Sequence, residues 1–385
     1  MRLLFLCSCL EPGRDGVGDH TRLLAGACAK QGATVALLAA NDPFIDAPAK
    51  LILETENGPA LLLRLPAAMP WPERLEKIGA FREKFVPDWI SLHLVSYGFH
   101  PRGLLGKLAD VFCDMAGDTP VQLMFHELWL GGGEPTPVRH KLTGFFQRRG
   151  ILRLMERLRP RVVTTSNPVY AAMLRANGIE ASLLPLFGNV PISDAPAVAP
   201  GGAPENREKW WIGVFFGSLP AEWRPEPFFG ILLEAAARAQ KKVRLVIIGR
   251  AGAAGEALWR KMESIYSGQI KFVTIGEVNV ETISAHLREA DFGVAASPWQ
   301  LIGKSGSAAA MLDHGLPVIV TRDDFQPYLP GDQPPSTDPL FYRLDETLSA
   351  KLAAGLPKRP ARHRVDEIAA RLISLLKRAT TPAAP

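Results

Sequence analysis

Cysteine is scarce in this sequence. Cys7, Cys9, Cys28 and Cys113 are the four in 385 residues, and none stands at a zinc-ligand or redox-pair spacing. That excludes a disulfide scaffold and predicts small buried hydrophobes in a reducing compartment. Long apolar runs are also missing, and no run reaches the roughly 20 residues that a bilayer-spanning helix needs. The short apolar opening, Met1 to Cys9, runs straight into Leu10-Glu-Pro-Gly-Arg-Asp with no small-residue cleavage pattern. It reads as a buried first strand, and the protein as cytoplasmic. No zinc finger and no aromatic-basic RNA module is present, so nucleic acid is not an expected partner. Two phosphate-binding fingerprints are absent as well. Gly13, Gly16 and Gly18 have the wrong spacing for a dinucleotide loop. Gly303-Lys304-Ser305 has the ending of a P-loop, but the position of its first glycine holds Pro298, which lacks an N–H.

What is present is ordinary globular material: 47% hydrophobic and 22% charged residues. The length exceeds what one core serves, which predicts two domains. The net charge of +5 favours anionic partners, either a substrate or a lipid surface. Continuous apolar runs alternate with amphipathic segments, first from Leu3 to about Leu186 and again from Trp211 to Thr321. That alternation predicts parallel sheets wrapped by helices. Between the two series, residues 193–208 are rich in proline, glycine and alanine, the composition of a linker. The expected layout is an N-terminal domain over 1–192, the linker, a second domain over 209–358, and a C-terminal helix and tail over 359–385. Val365, Ile368, Ala369, Leu372 and Leu375 recur at helical spacing and should dock that last helix, with the chain fraying from residue 380.

Doubly wound sheets bind ligands beyond the carboxyl ends of their strands, so the chemistry is sought just after strands. Gly303, Lys304, Ser305, Gly306 and Ser307 follow the apolar run ending at Ala296 and lead into a small-residue helix. Exposed amides, the positive end of a helix dipole and a lysine together suit a phosphate. Gly16 and Gly18 open the first helix after the first strand, with His20 a little further on. They read either as a close backbone approach to substrate or as a turn capped by Asp19 or Thr21. His126 and Glu127 follow the run Val121–Phe125; the imidazole can hydrogen-bond a sugar hydroxyl or share a proton, and Glu127 can orient it. The glycine-rich segment after them, Leu128 to Glu134, has the composition of a gate. Arg224 lies in the loop after Trp211–Phe216, and Arg250 after Arg244–Ile248; each suits a diphosphate or plain solvent. Phe145 and Phe146 sit among Lys141, Arg148, Arg149, Arg153 and Arg157. That pattern is either a basic amphipathic face for anionic lipid or a packed helix with a solvated basic side.

Gly16-Val-Gly18-Asp-His-Thr, Phe125-His126-Glu127-Leu-Trp129, Phe216-Gly217-Ser218 and Ala310-Met-Leu-Asp-His-Gly315-Leu-Pro317-Val resemble, in their order and separation, the glycosyltransferases of the B fold. Within that fold they resemble the retaining, nucleotide-sugar-dependent family 4. The resemblance covers nearly the whole chain. It implies α/β architecture with two Rossmann-like doubly wound domains facing a cleft, the acceptor on the first and the donor on the second. It implies a nucleotide-diphosphate sugar as co-substrate, a glycan, lipid-linked or small-molecule acceptor, and neither cofactor nor metal. Carried over by position, Gly16 and Gly18 would lie near the donor phosphate and sugar, and His126 would contact the transferring sugar. Ser218 and Arg224 would belong to the diphosphate loop, and Gly303 to Ser307 would wrap the phosphates. The family's paired glutamates are absent, their places holding Ile302 and Ala310. Lys304 is then expected to supply positive charge, with Glu127 or Asp313 as a sugar or ribose contact. The missing glutamates also leave room for a nucleotide-sugar-binding protein without transfer, or for an enzyme using a sugar-phosphate donor.

Overall fold

The structure, a computed structural model, describes residues 1–55, 58–194, 205–329 and 338–380. The chain forms two compact units. The described residues of 1–186, with 327–329 and 365–380, make the first; those of 187–326 and 338–364 make the second. Most of the linker expected at 193–208, and the chain end after residue 380, lie outside the described residues.

In the first unit the strands are β1 (Arg2–Cys7), β2 (Thr34–Asp42), β3 (Ala49–Thr55), β4 (Gly58–Pro66), β5 (Trp89–Leu94), β6 (Val121–Phe125), the two-residue β7 (Gly133–Glu134), β8 (Val162–Thr165) and β9 (Ser182–Leu183). The helices are α1 (Gly16–Lys30), α2 (Trp71–Phe85), α3 (Ala109–Ala116), α4 (Val138–Leu158) and α5 (Pro168–Arg175). The sheet runs β3-β4-β2-β1-β5-β6-β8-β9. It is parallel except at its edge, where β3 pairs antiparallel with β4. Strands β1 and β5 are buried along almost their whole length under helices on both faces, β1 as an apolar run and β5 with Ser91 and His93 among its apolar residues. β3 was not foreseen. Leu51 and Ile52 are exposed, so this edge strand lacks the buried-run pattern, although the Asn57-Gly58 dipeptide is a hairpin signal in the sequence. A helix predicted over Arg102–Met115 begins only at Ala109, because Pro101 and Gly103, at φ +64°, hold the preceding chain in turns.

The second unit holds β10 (Trp210–Phe216), β11 (Lys242–Ile248), β12 (Ile270–Gly276), β13 (Phe292–Pro298), β14 (Val318–Arg322) and β16 (Phe341–Arg343), and the two-residue β15 (Gln326–Pro327) spans the boundary at residue 327. Its helices are α6 (Glu226–Arg238), α7 (Gly252–Tyr266), α8 (Val280–Glu289), α9 (Gly306–Asp313) and α10 (Leu348–Ala354). A fully parallel sheet runs β12-β11-β10-β13-β14-β16. Alternate residues of one strand enter different cores. Val243, Leu245 and Ile247 pack with Phe228, Phe229 and Trp259, while Val246 and Ile248 pack with Ile283, Leu287 and Met311. The period-two pleat thus divides one apolar run between two helix layers.

The last helix, α11 (Val365–Thr380), returns to the first unit and lies on α1. It buries Ile368, Ala369, Leu372 and Leu376, the helical stripe read from the sequence with Leu376 in place of Leu375. Lys30 pairs with Asp366 at 3.2 Å, and the Trp89 indole donates to the Thr380 hydroxyl at 3.2 Å.

Candidate functional site

In the second unit the order of connections reverses between β10 and β13, which is where open parallel sheets leave a crevice at their carboxyl edge. A pocket of about 290 Å³ opens there. Its polar lining comes from Ser218 after β10, Ser297 on β13, Ser305 and Ser307 at the start of α9, and Arg322 at the end of β14. Ser305 is the N-cap of α9, accepting from the Ala308 amide at 3.3 Å, and its hydroxyl lies 3.2 Å from that of Ser307. The positive end of α9 therefore faces hydroxyls and a guanidinium. Arg322 is held by Asp324 through two hydrogen bonds of 3.0 and 2.8 Å. That contact, together with the nearby charge of Arg224, holds the Asp324 carboxyl below its ordinary range.

The loop carrying Ser218 is fixed from beneath. Trp223 is fully buried, and its indole N–H donates to Thr321 Oγ1 at 2.9 Å; that hydroxyl in turn donates to the Ala295 carbonyl at 3.0 Å. The loop after β10 is thereby tied to β14 and β13, the other two walls of the pocket. Gly217, at φ +88°, makes the turn out of the strand, its amide bonded to the Ile248 carbonyl at 2.9 Å.

In the first unit the same reversal falls between β1 and β5. A second pocket, about 400 Å³, lies at their carboxyl ends. Ser8, Asp15, Asn41 and His100 give it polar groups, and Phe44, Tyr97 and Phe99 give it aromatic walls. Nearby, three imidazoles converge: His20 from α1, His93 from β5 and His126 just after β6. All three are buried, with ring centroids 5.1 to 5.6 Å apart. His93 Nδ1 lies 3.0 Å from His126 Nε2. Burial pushes the His126 pKa down to about 4. Burial, and then the other imidazoles, push His20 and His93 well below the ordinary histidine value. The cluster is neutral at physiological pH.

No protein-family model matches this sequence, and no curated protein does. Solved structures do. An α,α-trehalose-phosphate synthase (UDP-forming) from Burkholderia xenovorans superposes with a TM-score of 0.54 at 11% identity, covering 99% of this chain and 100% of that one. A glycosyltransferase from Rickettsia africae gives 0.54 at 10% identity, with 99% of each chain covered. A lipopolysaccharide outer core galactosyltransferase, WaaB, gives 0.50 at 14% identity, covering 95% and 90%. This chain has the glycosyltransferase B fold. At such identities the fold is what the proteins share.

Within the B fold, the sequence-predicted residues fall into two sets. Ser218, Ser305 and Ser307 share the second unit's pocket. Gly303 and Lys304 lie half-buried on the short helical turn Trp299–Lys304 just before them, and Gly306 is exposed at the first turn of α9. Arg224 is exposed on the Ser218 loop. Arg250 instead pairs with Glu277 at 3.1 Å. The sugar or ribose contact expected of Asp313 is not what its carboxylate does here. It is fully buried at the end of α9, accepting from the Gly188 amide at 2.9 Å, from the Arg364 guanidinium and from the Arg364 amide at 3.3 Å. In the first unit, Gly16 opens α1, and Asp15 caps it by accepting from Val17. Gly18 meets a packing demand: a Cβ there would stand 2.4 Å from the Cys9 carbonyl oxygen. Glu127 is half-buried beside His126. The segment proposed as a gate is tied down, with the Leu130 amide on Gln147 Oε1 at 2.9 Å and the Tyr328 amide on the Gly132 carbonyl at 2.9 Å.

Sequence reasoning missed Arg322 and His93. Arg322 ends an apolar strand, so the after-strand rule used elsewhere would have found it. His93 was absorbed into the strand Trp89–His93, where one imidazole in an apolar run was the available signal.

Proposed function

We propose that the protein moves a sugar from a nucleotide-diphosphate sugar to an acceptor hydroxyl of a glycan, lipid or small molecule, with retention of configuration, in the manner of family 4. The observation that carries this reading is the pocket at the β10/β13 reversal, where four serine hydroxyls, the start of α9 and Arg322 converge. These are the groups a diphosphate leaving group needs. The names of similar structures point the same way, since one neighbour is a UDP-forming synthase and another a galactosyltransferase.

In this reading the bond from the anomeric carbon to the diphosphate oxygen breaks, and its electron pair leaves with the phosphate. The acceptor oxygen bonds to the oxocarbenium-like carbon on the same face, and its proton passes to the departing phosphate. Lys304, Arg224, Arg322 and the amides around Gly303, Gly306 and Ser307 stabilise the leaving charge, so that the step asks for no metal or cofactor. Neutral His126 positions the sugar, with Gly16 and Gly18 allowing close approach and Glu127 beside them. The aromatic-walled pocket of the first unit takes the acceptor. The exposed apolar face of α4 (Val138, Leu142, Phe145 and Phe146), flanked by Arg139, Arg148 and Arg149, rests on an anionic membrane from the cytoplasmic side.

The test incubates the full chain with a panel of nucleotide-sugars and follows nucleoside diphosphate release and the configuration of the product. Lys304→Ala is expected to lower kcat about 10²–10³-fold, the range for removing one oxyanion-stabilising group, with acceptor affinity unchanged. Wild-type turnover in that variant removes Lys304 from the mechanism. Nucleotide-sugar binding with neither hydrolysis nor transfer would replace the enzyme by a binding protein, and phosphate-dependent sugar release would replace the donor by a sugar phosphate.

A further inference from the structure

We propose that His20, His93 and His126 form a binding site for one divalent transition-metal ion of the zinc or cobalt class, inside the first unit. The sequence gives no such expectation, because the three histidines are far apart in the chain and sit on different elements. The fold brings them together, with one potential ligand atom from each lying within 4.8 Å of the other two. A tetrahedral ion with bonds of about 2.0–2.1 Å holds its ligand atoms roughly 3.3 Å apart. His93 Nδ1 and His126 Nε2, at 3.0 Å, are already near that spacing. His20, from the start of α1, offers its ligand atom within 4.8 Å of both.

The hydrogen bonds behind His93 prepare its lone pair. Gln122 Nε2 donates to Thr164 Oγ1 at 2.8 Å, which leaves Gln122 Oε1 to accept from the Ser91 hydroxyl at 2.6 Å. With its proton given to Gln122, Ser91 Oγ accepts from His93 Nε2–H at 3.1 Å. The lone pair of His93 is therefore on Nδ1, the atom facing the cluster. An outer hydrogen bond that fixes tautomer and ring direction is the usual companion of a metal-ligating histidine. Ser91, Gln122 and Thr164 are all fully buried, so water does not compete for these bonds. A hydrogen-bonded pair would account for His93 and His126; it gives no reason for a third imidazole to face them. Imidazole-only coordination suits zinc, cobalt, nickel or copper rather than magnesium or calcium.

The site shares His126 with the transfer reading, yet an ion bound by a protein without transferase activity would support it equally. The test uses the full chain, treated with chelator, dialysed and titrated with Co²⁺ while the visible absorption is followed. The expected result is one equivalent bound, with a visible ligand-field band that Zn²⁺ displaces. His93→Ala should weaken binding at least about 100-fold. Ser91→Ala keeps all three ligands and should weaken it about 10–100-fold, as loss of an outer partner does. His140→Ala, on α4 and outside the cluster, should leave Co²⁺ affinity unchanged. Should His93→Ala fail to fold, His20→Gln carries the test by thermal unfolding, with Zn²⁺ raising the wild-type midpoint and leaving the variant's where it was. No Co²⁺ bound at one equivalent, or unchanged affinity in the His93 or His20 variant, overturns the proposal.

Discussion

At the scale of single residues, Asp42 shows a buried charge that is matched. Asp42 is fully buried at the end of β2; Arg64 lies beside it with Nε at 2.8 Å, and Arg64 also reaches Glu11 at 2.5 Å. Burial alone would raise the Asp42 carboxyl, but hydrogen bonds from Arg64 and from the Phe44 and Leu10 amides outweigh it and leave it below its ordinary value. Arg64→Met should therefore cost about 3–5 kcal/mol, the penalty for stranding one partner of a buried pair. Chemical denaturation checks this, and a loss under 1 kcal/mol would mean that the pair is solvated. The histidine cluster makes a second prediction. Folded His126 titrates near 4, while an unfolded histidine titrates near 6.5, so between these values the unfolded chain binds more protons. The stability tied to the neutral ring is full above about pH 6.5 and is lost as pH falls toward 4. The metal-free wild type should thus lose stability over that window more steeply than His126→Gln, in unfolding curves taken at pH 7.5, 6 and 5. Equal slopes would contradict the buried, neutral state. Ser218, Ser305 and Ser307 of the candidate pocket were legible in the sequence, the first in the loop after an apolar run and the others in a glycine-rich loop before a helix; Ser297 was not singled out. His93 and Arg322 were not, because only the sheet order shows which strand ends lie side by side.

At the scale of elements, the long apolar runs and the amphipathic stripes gave most strands and helices, since burial on two faces leaves an unmistakable pattern. The failures share a cause. β3 is an exposed edge, β16 has three residues, and α10 is a two-turn helix, so none presents a long buried run or stripe. How one element positions another was also hidden. Trp223 reads as a loop residue, yet it is the buried peg that joins the Ser218 loop to β13 and β14. Trp223→Phe keeps most of the ring and removes the indole donor. It is expected to cost about 0.5–1.5 kcal/mol, the net worth of one hydrogen bond, and to weaken anion binding in the pocket several-fold. Unaltered binding with lowered stability would confine Trp223 to the core. Gly315 closes α9 in the same structural spirit. Its φ is +77°, and a Cβ there would stand 1.9 Å from the Arg359 carbonyl oxygen, so the Gly-x-Pro-Val segment has a packing reason in this chain.

At the scale of the whole molecule, two observations set the expected partners. The net charge is +5, and no helix among the described residues is long and apolar enough to cross a membrane. In the membrane contact proposed above, the exposed Phe145 and Phe146, with arginines around them, are the contacting surface. The full chain should sediment with vesicles containing anionic lipid and not with neutral ones, and moderate salt should weaken the association. Phe145→Ser with Phe146→Ser should abolish it, while binding to neutral vesicles of equal strength would remove the electrostatic part of the account. The central claim is that the pocket after β10 and β13 is a seat for the diphosphate of a nucleotide-sugar. Calorimetric titration of the full chain with UDP, GDP and ADP tests it most directly, run beside Ser307→Glu, which places a carboxylate at the start of α9. The expected result is single-site binding of at least one of the three, weakened at least tenfold in the variant. Binding of none of them, or equal affinity in wild type and Ser307→Glu, would contradict it.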